Sequence, residues 1–208
     1  DRTSRGLGDV YKRQVMFRLL FLIALLQFHQ PVFSTEDTVS QAVARYLTRI
    51  HKYMEDEDWI NAKRELEVTA RRYFKNEDSY ERALINQLYG QFYALQRDYK
   101  NAIPWFEKAI AKGRLPFAAD LQVSYSLAQC YFQTGRYKDV IETLENYRDK
   151  ASKRGQNMAP IQLMLLGIAY YQEQDTLNAY LNIAEANATA TKLNEEWLQY
   201  EFALAVKL

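Results

Sequence analysis

Few side chains in this sequence are of the kinds that make or break bonds. It holds two histidines, His29 and His51, and a single cysteine, Cys130. A Ser-His-Asp or Cys-His centre would need His51 as its base. That residue stands far from Cys130 in the chain, and no nucleophile elbow accompanies either. Cys130 lies in a stretch of helical character, where a lone thiol serves as a small buried hydrophobe. One cysteine also excludes an intrachain disulfide framework. His51 stands on a helix with no second histidine or cysteine near it, and reads as a surface or groove residue rather than a metal ligand. The run Glu55-Asp56-Glu57-Asp58 gathers four carboxylates but lacks the spacing and the glycine of a calcium loop, and reads as a solvated turn. No glycine-rich phosphate loop is present, and Asn187-Ala188-Thr189 matches a glycosylation acceptor only by chance, inside a predicted helix. No catalytic residue, metal ligand or cofactor follows from these residues. Binding is the function class that is left.

Composition agrees with a folded, helical binding module. Of 208 residues, 48% are hydrophobic and 25% charged, which excludes disorder. Only 7 Gly and 4 Pro punctuate the chain, as suits long helices with short turns. There are 27 Lys and Arg against 26 Asp and Glu, with five and two of these in residues 1–34, so the rest is close to neutral at −2. No basic stripe is left to follow a phosphate backbone, and nucleic acid is excluded as a partner. The 16 tyrosines are many for a helical protein. Tyrosine packs between helices with its apolar body while its hydroxyl faces a groove.

Internal periodicity supplies the architecture. From Gly90 the sequence runs to Tyr93, Ala102, Phe106 and Ala109 at offsets of 3, 12, 16 and 19. The same offsets recur from Ala128 (Tyr131, Val140, Leu144, Tyr147) and from Gly167 (Tyr170, Ala179, Ile183, Ala186). A weaker copy starts at Ile50 with Tyr53, Ala62, Leu66 and Thr69, and the starts lie 40, 38 and 39 residues apart. Each unit reads as helix A, a tight turn and an antiparallel helix B. Small residues (Gly90, Ala128, Gly167) and the helix-B alanines (Ala102, Ala179) stand where the two backbones approach, and Tyr and large apolar residues fill the flanks. One hairpin buries only part of its apolar surface, so units stack into an all-α superhelix, an α-α solenoid. Asp58, Asp98 and Asp175 suit caps at A-to-B turns. Gly113 before Pro116, and Gly155 before Pro160, mark the junctions between units. Pro104, inside a helix B, removes one backbone hydrogen bond there. The predicted helices are 37–55, 58–74, 78–96, 98–112, 117–134, 137–153, 159–174 and 176–192. A ninth starts near Glu195, and the sequence stops where the turn of a fifth unit is expected.

The N-terminal stretch reads as an address. From Met16 come a short basic start, an apolar run from Leu19 to Leu26, and Pro31-Val32-Phe33-Ser34. This is the pattern of a secretory signal peptide over 16–34, with Thr35 as the mature start and His29 removed with it. The apolar run is short of the ~20 residues that span a bilayer, although retention as an anchor stays open. Residues 1–15 have no Met and no apolar period, and read as a non-native leader. The repeat domain is 35–208.

Helix-A side chains next to the small residue, and one turn before it, are expected to line a partner-binding groove. They are Gln87 and Gln91, Tyr125 and Gln129, Met164 and Ile168, with Tyr171 a turn further. A Gln, Tyr and apolar lining suits a helix or an extended peptide.

The Gly-x-x-Tyr and Ala-x-x-x-Phe spacing resembles the tetratricopeptide repeat (TPR) superfamily, with units longer than usual. Ser79-Tyr80-Glu81-Arg82-Ala83, the run from Ala102 to Ala109, Leu115-Pro116, Ser126-Leu127-Ala128-Gln129 and Glu195-Glu196-Trp197 follow one another in an order that narrows this likeness. Over about residues 41–208 the chain is similar to the periplasmic TPR proteins that accompany TonB–ExbB–ExbD energy-transduction systems of Gram-negative bacteria. The resemblance implies a non-catalytic periplasmic scaffold whose partners are protein or peptide, among them TonB-system components, with membrane contact only through the signal peptide or partners. Two other readings stay open: a cell-envelope assembly or division coordinator, and the interaction region of a longer envelope hydrolase.

Overall fold

Four A-to-B turns repeat one backbone conformation. Seven residues beyond Ile50, Gly90, Ala128 and Gly167, the chain enters the left-handed region: Glu57 (φ 55°), Arg97 (φ 61°), Gly135 (φ 75°) and Gln174 (φ 65°). The next residue opens helix B, and in three units it is an aspartate. Asp58, Asp98 and Asp175 each accept from the backbone N–H of an asparagine three positions on, Asn61, Asn101 and Asn178, at 3.1, 3.3 and 3.1 Å. The same asparagine donates its side-chain amide to the second carboxylate oxygen. The aspartate thus satisfies an orphan donor of the first helical turn. In the third unit Arg136 takes this place without a side-chain cap.

The computed structural model describes residues 41–208 except 74, 77 and 193, with the backbone alone at 41, 42 and 73. The leader over 1–15, the signal peptide over 16–34, the start at Thr35 and His29 lie outside these residues. The described residues belong to one unit of the chain, Ser34–Leu208. Among them are nine α-helices and no strand: α1 (Gln41–Glu55), α2 (Trp59–Tyr73), α3 (Tyr80–Leu95), α4 (Tyr99–Ile110), α5 (Phe117–Gln133), α6 (Tyr137–Ser152), α7 (Pro160–Gln172), α8 (Thr176–Thr189) and α9 (Glu195–Ala205). The eight helices of the sequence reading are all present; residues 37–40 of the first lie outside the described residues, the other ends fall within a few residues of those expected, and the ninth begins at Glu195 as expected.

Pairing follows the repeat. Helices α1 and α2, α3 and α4, α5 and α6, and α7 and α8 form hairpins, and each hairpin packs on the next. Gly90 and Gly167 are small for a steric reason. A Cβ on Gly90 would lie 2.4 Å from the Phe106 ring, and one on Gly167 would lie 2.6 Å from Ile183 and 3.1 Å from the Ala179 carbonyl oxygen. Ala102, Ala128 and Ala179 are fully buried, and Phe106 and Ala109 nearly so, in keeping with backbones in close approach. Val140 and Leu144, which stand in place of the usual Ala and Phe, are completely buried as well. In the first unit Ile50, Ala62 and Leu66 are all 0% exposed, inside a cluster with Leu47, Ile85 and Phe92. Unit one departs from the pattern in residue type but not in burial.

Loop chemistry ends the helices as the sequence indicates. Gly113 (φ 58°) and Gly155 (φ 68°) follow helix B of the second and third units, in the conformation that glycine adopts without Cβ strain. Pro160 opens α7 at its first turn. Helix α4 stays continuous through the exposed Pro104. Val206 stands 39 residues beyond Gly167, which puts α9 in the register of a further helix A. Two residues before it, Leu204 is 3% exposed, like Leu88 and Leu165 at the same place in their units. Phe202 and Val206 are exposed.

Candidate partner-binding face

Several ion pairs tie helix B and the loops between units to one another and to the first turn of α5. Arg114 pairs with Asp78 through two bonds of 2.9 Å, which joins two successive loops. Lys150 reaches Asp120 at 2.6 Å, and Arg136 bonds Asp139 at 2.7 Å. Arg148 pairs with Glu145 and donates to Asn182 on the following helix B. The helix-A face is different. In α3, α5 and α7 the residues at its register, from Leu84 to Leu95, Gln122 to Gln133 and Ile161 to Gln172, include no Asp, Glu, Lys or Arg at six before, three before, one, four or five after the small residue.

The seven residues expected on this face fall into four groups. Gln87, Tyr125 and Ile168 are half-buried and contribute surface. Gln91 and Gln129 are 7% and 3% exposed, and so are buried polar groups rather than displayed ones. Met164 is 0% exposed, which corrects its place in the expected lining: its side chain belongs to the core with Leu163, Leu165 and Leu166. The physical reason is that the fourth unit has apolar residues all along its helix A, so several of its flanks are covered at once. Tyr171 is half-buried but already engaged. Lys207 donates to its hydroxyl at 3.0 Å and sits 4.8 Å above its ring, so this tyrosine is tied to the chain after α9. Nothing in the spacing of the repeat pointed to Lys207.

Polar satisfaction is incomplete on this face. The Gln87 Oε1, Tyr125 Oη, Gln129 Nε2 and Asn86 Oδ1 atoms are buried without a well-formed hydrogen bond among the described residues, the Tyr125 hydroxyl and the Gln129 amide being near neighbours. Burial pushes the Tyr125 phenol up, partly offset by the Gln129 amide four residues along α5. Groups of this kind are rare in interiors, where nearly all buried polar atoms are paired. Their signal in the sequence was the run of glutamines at helical spacing, read as lining rather than as buried amides.

The reactive residue types sit elsewhere. Cys130 is fully buried, and burial pushes its thiol up to about 12, which keeps it protonated at neutral pH. Burial pulls the His51 imidazole below its ordinary value, against the opposite pull of Glu55. Among the described residues no three His, Cys, Asp or Glu side chains gather as a metal site requires, and no helix is long and apolar enough to cross a membrane.

Comparison with known proteins points to the fold. Residues 95–159 match the family model of the anaphase-promoting complex, cyclosome, subunit 3, which covers less than half of the chain. No curated protein sequence matches. Among solved structures, MamA (41-end) from Desulfovibrio magneticus RS-1 is similar over 82% of this chain and 87% of its own, at 18% identity and a TM-score of 0.64. A putative kinesin light chain from Podosopora anserina with nearly identical TPR-like repeats is similar over 80% and 95%, at 16% identity and a TM-score of 0.59. At such identities the likeness concerns fold alone. With hairpins of matched register and glycine at the close approaches of the second and fourth, this chain is an all-α, TPR-like superhelix.

Proposed function

We propose that the protein is a non-catalytic protein–protein interaction scaffold of the bacterial envelope, and that its helix-A face holds a segment of a partner protein. The observation that carries this reading is the face itself: uncharged at its register in the helices A of three successive units, and half-open at Gln87, Tyr125 and Ile168. Such a face offers shape, aromatic surface and hydrogen bonds, which are the terms that fix a bound peptide. The signal-like segment over 16–34 supports a periplasmic location. The order of motifs from Ser79 to Trp197 supports service to a TonB-type transport system driven by proton motive force.

A photo-crosslinking amino acid placed at Tyr125 tests the face in living cells. It is expected to give a covalent adduct with one partner protein, whereas the same group at the exposed Lys138 on α6 is not. Equal adducts from both positions overturn the assignment of the face. For the TonB reading, a deletion strain is expected to grow poorly on a substrate that needs receptor-mediated uptake and normally on freely diffusing nutrients. Normal receptor-dependent growth removes that reading and leaves the scaffold standing.

A further inference from the structure

We infer that a second copy of this chain docks on the outer face of α8, so that two copies pair about a two-fold axis through their helix-B layers. This goes beyond the scaffold reading and does not rest on it. Leu177 and Leu181 on α8 are 55% and 51% exposed. With Ala184 and Ala188 they hold spacings of four, three and four, and on a helix all four fall within about 60° of one another. Ala179, Ile183 and Ala186, on the opposite side of α8, are buried in the hairpin. The stripe therefore points away from the core. In α6 the same four places are Lys138, Glu142, Glu145 and Asp149, and α2 and α4 carry charge there too. Lys100 and Pro104 stand at the places of Leu177 and Leu181, and they are exposed although a further hairpin packs on α4. Stacking of hairpins does not cover this stripe, and only in α8 is it free of charge.

Size and charge along the face select the occupant. The spacing is that of the seam between two coiled helices. Its large residues lie in the first half of α8 and its small ones in the second. A two-fold axis across the middle of α8 lays a second α8 antiparallel on the first, with Leu177 on Ala188 of the second copy and Leu181 on its Ala184. Large then meets small along the whole seam, whereas a parallel pair sets Leu on Leu and leaves a gap between the alanines. Arg148 on α6 reaches Asn182 and Glu185 on α8, so these two helices are neighbours, and as helices B they run the same way. The same axis therefore lays α6 along the second α6. It sets the exposed Lys138 opposite the exposed Asp149, twice by symmetry. Glu142 falls opposite Glu145, whose charge Arg148 balances.

Sedimentation of the purified protein between about 1 and 300 µM is expected to show a monomer–dimer equilibrium with a Kd of about 10–100 µM, as suits a small seam. Leu181→Glu, at an exposed place, is expected to weaken it about tenfold or more. Phe202→Glu, on the exposed apolar side of α9, is expected to change it less than about twofold. Lys138→Asp is expected to weaken it about threefold, and adding Asp149→Lys to restore it. Register is read by cross-linking. A mixture of Leu177→Cys and Ala188→Cys proteins is expected to form a disulfide under mild oxidation, while neither does so alone, because an antiparallel pair sets like positions about 16 Å apart along the axis. The native Cys130 is fully buried and takes no part. A single monomeric species at about 300 µM, an unchanged Kd in Leu181→Glu, or self-linking of Leu177→Cys overturns the inference, and each leaves the helix-A face as a binding site.

Discussion

Tyr131 on α5 donates its hydroxyl hydrogen to Glu107 Oε1 on α4 at 2.6 Å, across the joint between the second and third hairpins. Tyr170 on α7 makes the same bond to Glu145 on α6 at 3.0 Å, at the next joint. In both pairs the tyrosine is three residues past its unit's small residue and the glutamate is seventeen past that of the preceding unit. Burial first, then the bond to glutamate, pushes both phenols up. Arg136 lies 4.4 Å above the Tyr131 ring and completes the joint. The repeat tyrosine thus has two tasks: its ring fills the flank of its own hairpin, and its hydroxyl fixes the angle to the previous one.

Removing that hydroxyl tests the second task. Tyr131→Phe is expected to cost about 0.5–1.5 kcal/mol in urea unfolding, at the modest end for a bond to a charged acceptor because Glu107 is partly solvated. Glu107→Gln is expected to cost less. The double variant is expected to cost clearly less than the two singles combined. Simple additivity means that the pair does not couple the two hairpins.

The contact between Gly90 and Phe106 predicts a paired response. Gly90→Ala is expected to destabilise by about 1–3 kcal/mol, because its Cβ would fall 2.4 Å from the ring. Phe106→Ala is expected to cost about 3–5 kcal/mol through the cavity it leaves. In a Phe106→Leu background the added cost of Gly90→Ala is expected to shrink, since the smaller side chain vacates the clash. If that cost stays the same, the close approach of the two helices lies elsewhere.

The left-handed residue of each A-to-B turn gives substitutions of opposite sign. Gly135→Ala is expected to lose about 1–2 kcal/mol, and from backbone strain alone, since nothing lies within 4 Å of the new Cβ. Arg97→Gly is expected to gain up to about 1 kcal/mol, because relief of that strain outweighs the extra freedom of glycine in the unfolded chain. Calorimetric melting temperatures that move the same way in both variants contradict the shared turn conformation.

His51 sets a pH dependence. Its folded pKa is depressed by burial, so the unfolded chain takes up its proton first as the solution is acidified. Stability is therefore full above the ordinary histidine value of about 6.5 and falls as pH drops below it. Melting temperature is expected to decline between about pH 7.5 and 5.5, and His51→Gln is expected to flatten that decline. An equal slope in the variant assigns the effect to other groups.

Much of the architecture was legible because it is local. Helix periodicity, glycines 113 and 155, and the turn aspartates act within a few residues of themselves, and the repeat offsets carry hairpin pairing from one unit to the next. The Asp-x-x-Asn pairs at 58/61, 98/101 and 175/178 were also in plain view, although only the aspartates were read as caps. The left-handed φ at Glu57, Arg97 and Gln174 was hidden, because three of the four turns place a residue other than glycine there.

By itself, the sequence determined that this is a helical repeat, where its hairpins begin and turn, and that its helix-A face carries Gln, Tyr and apolar side chains without charge. Tertiary structure decided which of those side chains a partner can reach. Met164, Gln129 and Tyr125 hold related register positions, yet one is fully buried, one is a buried amide with an unmet donor, and one is half-open. Tyr171 is occupied by Lys207, 36 residues away, and Tyr131 by Glu107, 24 residues away. Exposure at a repeat position depends on the neighbouring hairpin, whose side chains vary from unit to unit, and that dependence is long-range, so no local spacing encodes it.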